Sequence, residues 1–151
     1  MKNRIRSAAI ILDKDNRLLL LKNRNGQTGQ LYFIPPGGGF YNDEDIFMNA
    51  KRETKEECGL DIETDRIIYL REYFYTLHNS YNLEVYILAK NYSGEISHSH
   101  QLADTCIEDI CWFTQAELVN KTVYPEVLKD EFWKDLKNNF PTIKYLGKVK
   151  D

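Results

Sequence analysis

Cysteine is scarce: Cys58, Cys106 and Cys111 are the only three in 151 residues, and their separations lack zinc-ligand spacing. An odd set of this kind argues against a disulfide framework and a structural zinc, and it points to a reducing compartment. No apolar run approaches the roughly 20 residues that cross a bilayer, and the N-terminal segment has no apolar signal-peptide core. A soluble cytoplasmic protein without a membrane partner is therefore expected. A basic stripe is missing too. Lys and Arg number 20 against 23 Asp and Glu, for a formal charge of −3, so nothing offers itself to a nucleic-acid backbone and no nucleic-acid partner is expected. Repeats, low-complexity tracts and linkers are absent, so residues 1–151 read as one domain. With 42% hydrophobic residues, a chain this long buries roughly two-thirds of its unfolded surface.

What is present centres on Gly38 to Leu60, GGFYNDEDIFMNAKRETKEECGL. Glu53, Glu56 and Glu57 stand at offsets of three and four residues, which makes them neighbours on one helix face. Like charges at that spacing cost a few tenths of a kcal/mol per exposed pair, and more when desolvated, so a neutralising group is required. One candidate is local: Lys51, Arg52 and Lys55 interleave with the acids, and Arg52 with Glu56 forms an i,i+4 pair. That reading makes the segment an ordinary solvated face. The other candidate is a bound cation. Pro36-Gly37-Gly38-Gly39 before the helix permits close approach to the main chain, and Gly59 stands where a C-cap needs a left-handed residue. A glycine turn, a capped helix and stacked carboxylates together describe a metal site better than a surface. Asn42 is the expected N-cap, with Asp43, Glu44 and Asp45 in the first turn. Ile46, Phe47, Ala50 and Thr54 make the inward stripe, turned away from the three glutamates.

The spacing Gly38, five residues, Glu44, seven residues, then Arg52-Glu53-Thr54-Lys55-Glu56-Glu57-Cys58-Gly59-Leu60 resembles the Nudix box. Thr54 stands where an aliphatic residue is common, Tyr41 where many members carry glutamate, and Asp43 where many carry glycine. The resemblance implies an α/β/α sandwich with a mixed sheet between helices, and hydrolysis, dependent on Mg²⁺ or Mn²⁺, of a nucleoside diphosphate linked to another moiety X. It implies Glu56 and Glu57 as main metal ligands and Glu53 as a metal ligand or water activator. Gly37 or Gly38 would add a main-chain carbonyl, and Arg52 would hold a glutamate in position. Glu44 would support the loop. One further acid is expected shortly before a tryptophan strand, with Glu108 first and Asp109 next. Hard oxygen donors of this type suit Mg²⁺ or Mn²⁺ rather than soft metals.

Along the rest of the chain, Ile5–Leu12 and Arg17–Lys22 with Asp13 to Asn16 between them read as a β-hairpin, and Leu18 to Leu21 as a strand covered on both faces. Asn23 to Gln30 reads as a loop, and Leu31 to Pro35 as a short strand entering the glycine turn. Residues 62–90 read as tyrosine-rich strands broken near His78-Asn79-Ser80, with packing favoured over base stacking for Tyr69, Tyr73, Tyr75, Tyr81 and Tyr86. Gly38, Gly39 and Tyr32 are the expected substrate contacts. His98 and His100 form an H-x-H pair on a polar loop, where solvent exposure is the commoner outcome and a ligand or general-base role the alternative. Thr114 to Glu117 matches a capping box for a short helix. Pro125 opens a second long helix with Leu128, Phe132 and Leu136 on its buried face and Pro141 at its end. The tail 142–151 is an edge element or mobile. The substrate expected is a small nucleotide-type compound: a nucleoside triphosphate, ADP-ribose, a nucleotide sugar or a dinucleoside polyphosphate, with long RNA disfavoured by the net charge. A nucleotide-binding or regulatory module without catalysis is the alternative, and the intact glutamate set argues against it. A homodimer is left open.

Overall fold

The computed structural model describes residues 1–97 and 106–151. Strands β1 (Lys2–Ile10), β2 (Leu18–Arg24), β3 (Leu31–Ile34) and β4 (Gly37–Gly39) precede helix α1 (Ile46–Cys58). Then follow β5 (Asp61–Tyr75), β6 (Ser80–Ser93), β7 (Ile107–Phe113), two 3₁₀ turns at Ala116–Leu118 and Glu126–Lys129, helix α2 (Glu131–Lys137) and β8 (Lys144–Lys150). The strands form a five-stranded mixed sheet ordered β4-β1-β6-β5-β8 and a three-stranded antiparallel sheet ordered β3-β2-β7. Helix α1 packs on one side and α2 on the other, so the layered α/β architecture expected from the sequence is the one found.

Leu18 to Leu21 explain why the two sheets need both helices. All four are fully buried, with Leu18 and Leu20 in the core shared with α2 and Leu19 and Leu21 in the core shared with α1. Successive side chains point to opposite sheet faces, so a strand of four leucines requires cover on each. The hairpin expectation is corrected here. The Asp13 carboxylate does close the turn, accepting the Asp15 and Arg17 N–H groups at 2.9 and 2.8 Å, but after a single bridge between Leu12 and Leu18 the strands part. Strand β1 joins the larger sheet and β2 the smaller, because each finds longer pairing elsewhere.

Three further expectations change. Gly37 to Gly39 are a short edge strand rather than a turn, with Arg6, Ser7 and Ala8 opposite Gly39, Gly38 and Gly37. The N-cap of α1 is Asp45 and not Asn42: its carboxylate accepts the Met48 N–H at 2.8 Å, and the first turn holds no acid. The long C-terminal helix is broken at Asp130 into a 3₁₀ turn and α2, while Leu128 and Phe132 keep their buried positions and the neighbouring Trp133 joins them. Gly59 caps α1 at φ 77° and returns its N–H to the Lys55 carbonyl. The tail is an edge strand, β8 parallel to β5. Among the described residues, no helix is long and apolar enough to cross a membrane.

Candidate functional site

Helix α1 lies across β1 and β4, and one buried polar residue fixes its height over them. Asn49 Oδ1 accepts the Ser7 N–H at 3.1 Å, the Ser7 hydroxyl lies against both Asn49 Oδ1 and the Ile46 carbonyl, and the Asn49 amide donates to the Gly39 carbonyl at 2.9 Å. Ser7 and Asn49 are both fully buried, where unpaired polar groups are costly, so each holds the other in place. Sequence reasoning missed this pair. The signal was a polar residue beside Ala50 on the apolar stripe. Thr54, the departure at an aliphatic position, is buried and turns its hydroxyl back to the Ala50 carbonyl at 2.7 Å.

With the helix so placed, the glutamates do not face solvent together. Glu53 lies against Gly38, where a β-carbon would come within 2.5 Å of Glu53 Oε1. Any side chain at Gly38 would displace that carboxylate. Glu57 Oε1 accepts the Gly37 N–H at 2.8 Å, so two consecutive glycines of β4 receive two of the acids. Glu56 is the more open one, with its side chain 45% exposed against 16% for Glu53. The expected separation between an inward stripe and an acid face is thus only partial.

Arg52 ties the remaining acids together. Its Nε and Nη2 grip Glu44 at 3.0 and 2.9 Å in a bidentate pair, Nη2 donates to the Gly39 carbonyl at 3.1 Å, and Nη1 reaches Glu53 and Glu56 at 3.1 Å. The Tyr41 ring stacks under the guanidinium at 4.1 Å. Glu44 also accepts the Tyr41 N–H, so it supports the loop as expected. The Arg52 hydrogen bond is the largest cause that holds the Glu44 carboxyl down, at about 2. Glu53 moves the other way, raised chiefly by burial and opposed by Arg52. Glu57 moves furthest. Desolvation pushes its carboxyl up to about 8, and the Gly37 N–H only partly offsets it.

The other expected residues are spread out. Tyr32 on β3 rests against Tyr124 with ring centroids 6.0 Å apart, and burial raises its hydroxyl pKa. Glu108 on β7 is engaged by Arg24, whose Nε donates at 2.5 Å. The Asp109 carboxylate accepts the Ile110 N–H. His98 and His100 lie outside the described residues.

Among the described residues, no group of three or more His, Cys, Asp or Glu side chains is gathered closely enough to enclose an ion. Arg52 is the physical reason, since it stands between Glu53 and Glu56. The donors present still fit a hard divalent cation: carboxylate oxygens beside main-chain glycines, including Glu57, a desolvated carboxylate with no ion pair among the described residues.

Comparison with known proteins places this arrangement. The chain is 27% identical over 120 residues to Nudix hydrolase 2 of Arabidopsis thaliana, a match covering 79% of this chain and 42% of that protein. The chain thus spans about two-fifths of the length of this curated relative. Its fold is similar to the solution structure of the E. coli ORF135 protein, with TM-score 0.72, 19% identity, and 94% and 96% of the two chains covered. It is also similar to a MutT NUDIX hydrolase of Burkholderia pseudomallei, with TM-score 0.70, 23% identity, and 87% and 98% covered. An ADP-ribose pyrophosphatase of Streptococcus suis aligns with TM-score 0.55 at 19% identity, over 98% of each chain. The family model for the NUDIX domain matches residues 2–133, taking in every strand except β8, and on that match the chain belongs to the Nudix hydrolase family.

Proposed function

We propose that this single domain hydrolyses the pyrophosphate linkage of a small nucleoside diphosphate joined to a moiety X, with Mg²⁺ or Mn²⁺ as cofactor. The observation that carries this reading is the Glu57 carboxylate, desolvated and pushed up to about 8 beside the Gly37 N–H. A folded domain keeps a largely desolvated carboxylate without an ion pair at an expense in stability, and a divalent cation removes that expense. Glu56 and Glu57 are the principal ligands in this reading, joined by a main-chain carbonyl of Gly37 or Gly38. Glu53, held against Gly38, takes a place as ligand or as the acceptor of the attacking water's proton. When bound, the cation supplies charge neutralisation on phosphate oxygens and lowers the pKa of a water molecule.

The chain's own residues do the positioning. Arg52 orients Glu53 and Glu56 and locks Glu44. Gly38 and Gly39 let the Glu53 carboxylate and the Arg4 guanidinium come close to the main chain of β4. Glu108 serves as the outside acid only by leaving Arg24, and Tyr32 is packed against Tyr124, so both rank behind the helix residues.

A binding module without chemistry is the second reading, favoured by one observation: Arg52 is already ion-paired with Glu44, Glu53 and Glu56. One experiment separates the two. Product release is followed over nucleoside triphosphates, ADP-ribose, nucleotide sugars and dinucleoside polyphosphates with Mg²⁺, Mn²⁺ or chelator, beside Glu57→Gln. Metal-dependent turnover that falls by about two orders of magnitude or more in the variant is expected. Tight binding of one compound without turnover of any would overturn the catalytic reading.

A further inference from the structure

Strand β1 carries Lys2, Arg4 and Arg6 at alternate positions, so all three project from one sheet face. The register extends that face into rows across three strands: Arg6 opposite Glu84 opposite Arg71, Arg4 opposite Asn82 opposite Tyr73, and Lys2 opposite Ser80 opposite Tyr75. All of these except Arg71 line an open cleft of about 590 Å³ together with His78. Arg4 borders β4, since a β-carbon on Gly39 would come within 2.9 Å of Arg4 Nε, and the positive field of Arg6 reaches both Glu53 and Glu57. The cleft lies on the face of the larger sheet opposite α1, across the edge strand β4 from the helix acids, and runs outward along β1.

Its charge is out of keeping with the chain. The whole protein is formally −3, yet among the described residues the cleft lining holds one carboxylate, Glu84, which is engaged, and Asp151 near Tyr73 and His78 is held by the Thr76 N–H and hydroxyl. Glu84 is buried and accepts from Arg71 Nε at 3.0 Å and the Tyr86 hydroxyl at 2.5 Å, with Arg6 at 3.7 Å. Among the described residues, neither Lys2 nor Arg4 makes an ion pair. The opposite wall is flat and aromatic. Tyr73 and Tyr75 lie 6.0 Å apart at 30°, and His78 stacks on Tyr75 at 4.8 Å and 26°. Hydroxyl-rich sugars are read by groups that accept as well as donate, whereas lysine and arginine only donate. A row of such donors matches phosphate oxygens.

We infer that this cleft selects an anionic X: a polyphosphate chain lying along Lys2, Arg4 and Arg6 beyond the bond to be cleaved, with a flat ring over Tyr73 and Tyr75. The reading of the chemical step is the one given above, and the inference adds the substrate class. Nucleoside triphosphates and dinucleoside polyphosphates share the required chemistry, while ADP-ribose and nucleotide sugars place a neutral sugar where the cations stand.

The test has a binding arm and a turnover arm, both with the full chain. In chelator, inorganic tripolyphosphate is titrated calorimetrically into wild type, Arg4→Glu and Lys2→Glu. Both variants alter exposed side chains, and thermal melting verifies that they fold. Binding should weaken about tenfold or more in Arg4→Glu, the effect of losing one charge-assisted hydrogen bond, and should weaken with added salt. Absence of tripolyphosphate binding, or equal affinity in wild type and Arg4→Glu, overturns the inference. With Mg²⁺, Arg4→Glu should raise KM for polyphosphate substrates while kcat stays within about threefold. The ratio of kcat/KM for a nucleoside triphosphate and a dinucleoside tetraphosphate then tells a terminal chain from an internal one. Preferred turnover of ADP-ribose or a nucleotide sugar overturns the cleft assignment and leaves the catalytic reading standing. Tripolyphosphate binding that Arg4→Glu weakens, in a protein that hydrolyses nothing, does the reverse.

Discussion

Glu57 concentrates the electrostatics of the site in one residue. Its folded-state value of about 8 lies above the ordinary carboxylate value of 4.5, with burial as the largest cause. The proton is therefore held more tightly in the folded chain than in the unfolded one. Stability associated with this group is complete below pH 4.5 and is lost as pH rises toward 8. In chelator, Glu57→Gln should thus gain melting temperature over wild type as pH is raised from 5 to 8.5, with little difference at pH 5. Calorimetric melting across that range checks it, and parallel curves would refute the burial argument. Glu44 has the opposite sign. Held at about 2 by Arg52, it contributes stability that is present above pH 4.5 and lost only as pH falls toward 2. Three glutamates on one helix were legible in the sequence, as was Arg52 as their organiser. That desolvation falls on Glu57 rather than Glu56 was not, because burial is set by how α1 packs on β4, whose Gly37 N–H reaches Glu57 from 20 residues earlier.

At the scale of the element, α1 is held over β1 and β4 by Asn49 rather than by an apolar stripe alone. Asn49→Ala leaves the Ser7 N–H without its side-chain partner in a buried place and the Gly39 carbonyl with Arg52 alone, at a cost of about 2–3 kcal/mol. Met48→Ala on the exposed side of the same turn should change stability by less than about 0.5 kcal/mol. Urea unfolding of the two variants measures the contrast, and equal losses would show that the apolar stripe sets the helix position. The helix and its C-cap were readable from periodicity and Gly59. Its N-cap was misplaced by three residues because Asn42, Asp43 and Asp45 are all competent capping residues, and it is Asp45, in extended backbone just before the helix, whose carboxylate accepts the N–H three residues on.

For the molecule as a whole, the closure of the larger sheet depends on one buried acid of α2. Asp135 accepts the Tyr69 hydroxyl at 2.7 Å and Lys144 Nζ at 2.5 Å, joining α2 to β5 and β8. Asp135→Ala strands the hydroxyl of a tyrosine that is only 1% exposed, a loss of about 2 kcal/mol. That corresponds to a melting temperature lower by roughly 4–8 °C for a domain of this length. Hydrogen exchange should quicken first in β8, whose other neighbour is solvent. Uniform acceleration across all strands would mean that Asp135 holds no separate edge.

By itself the sequence determined the class of fold, the long helix with its three acids, the doubly covered leucine strand and the family, because each is written in local spacing: period two, period three and four, and glycines at caps. Tertiary structure alone decided the rest. Which sheet each of β1 and β2 joins depends on competition between distant strands, which no local pattern encodes. Glu108 meets Arg24 because β7 pairs with β2 in a particular register. The alternating cations of β1 stood in plain view at Lys2, Arg4 and Arg6, yet they became a cleft only when parallel pairing with β6 set Asn82, Tyr73 and Tyr75 across from them. A side chain's charge belongs to the sequence. The dielectric around it and the partner it faces are made by the fold.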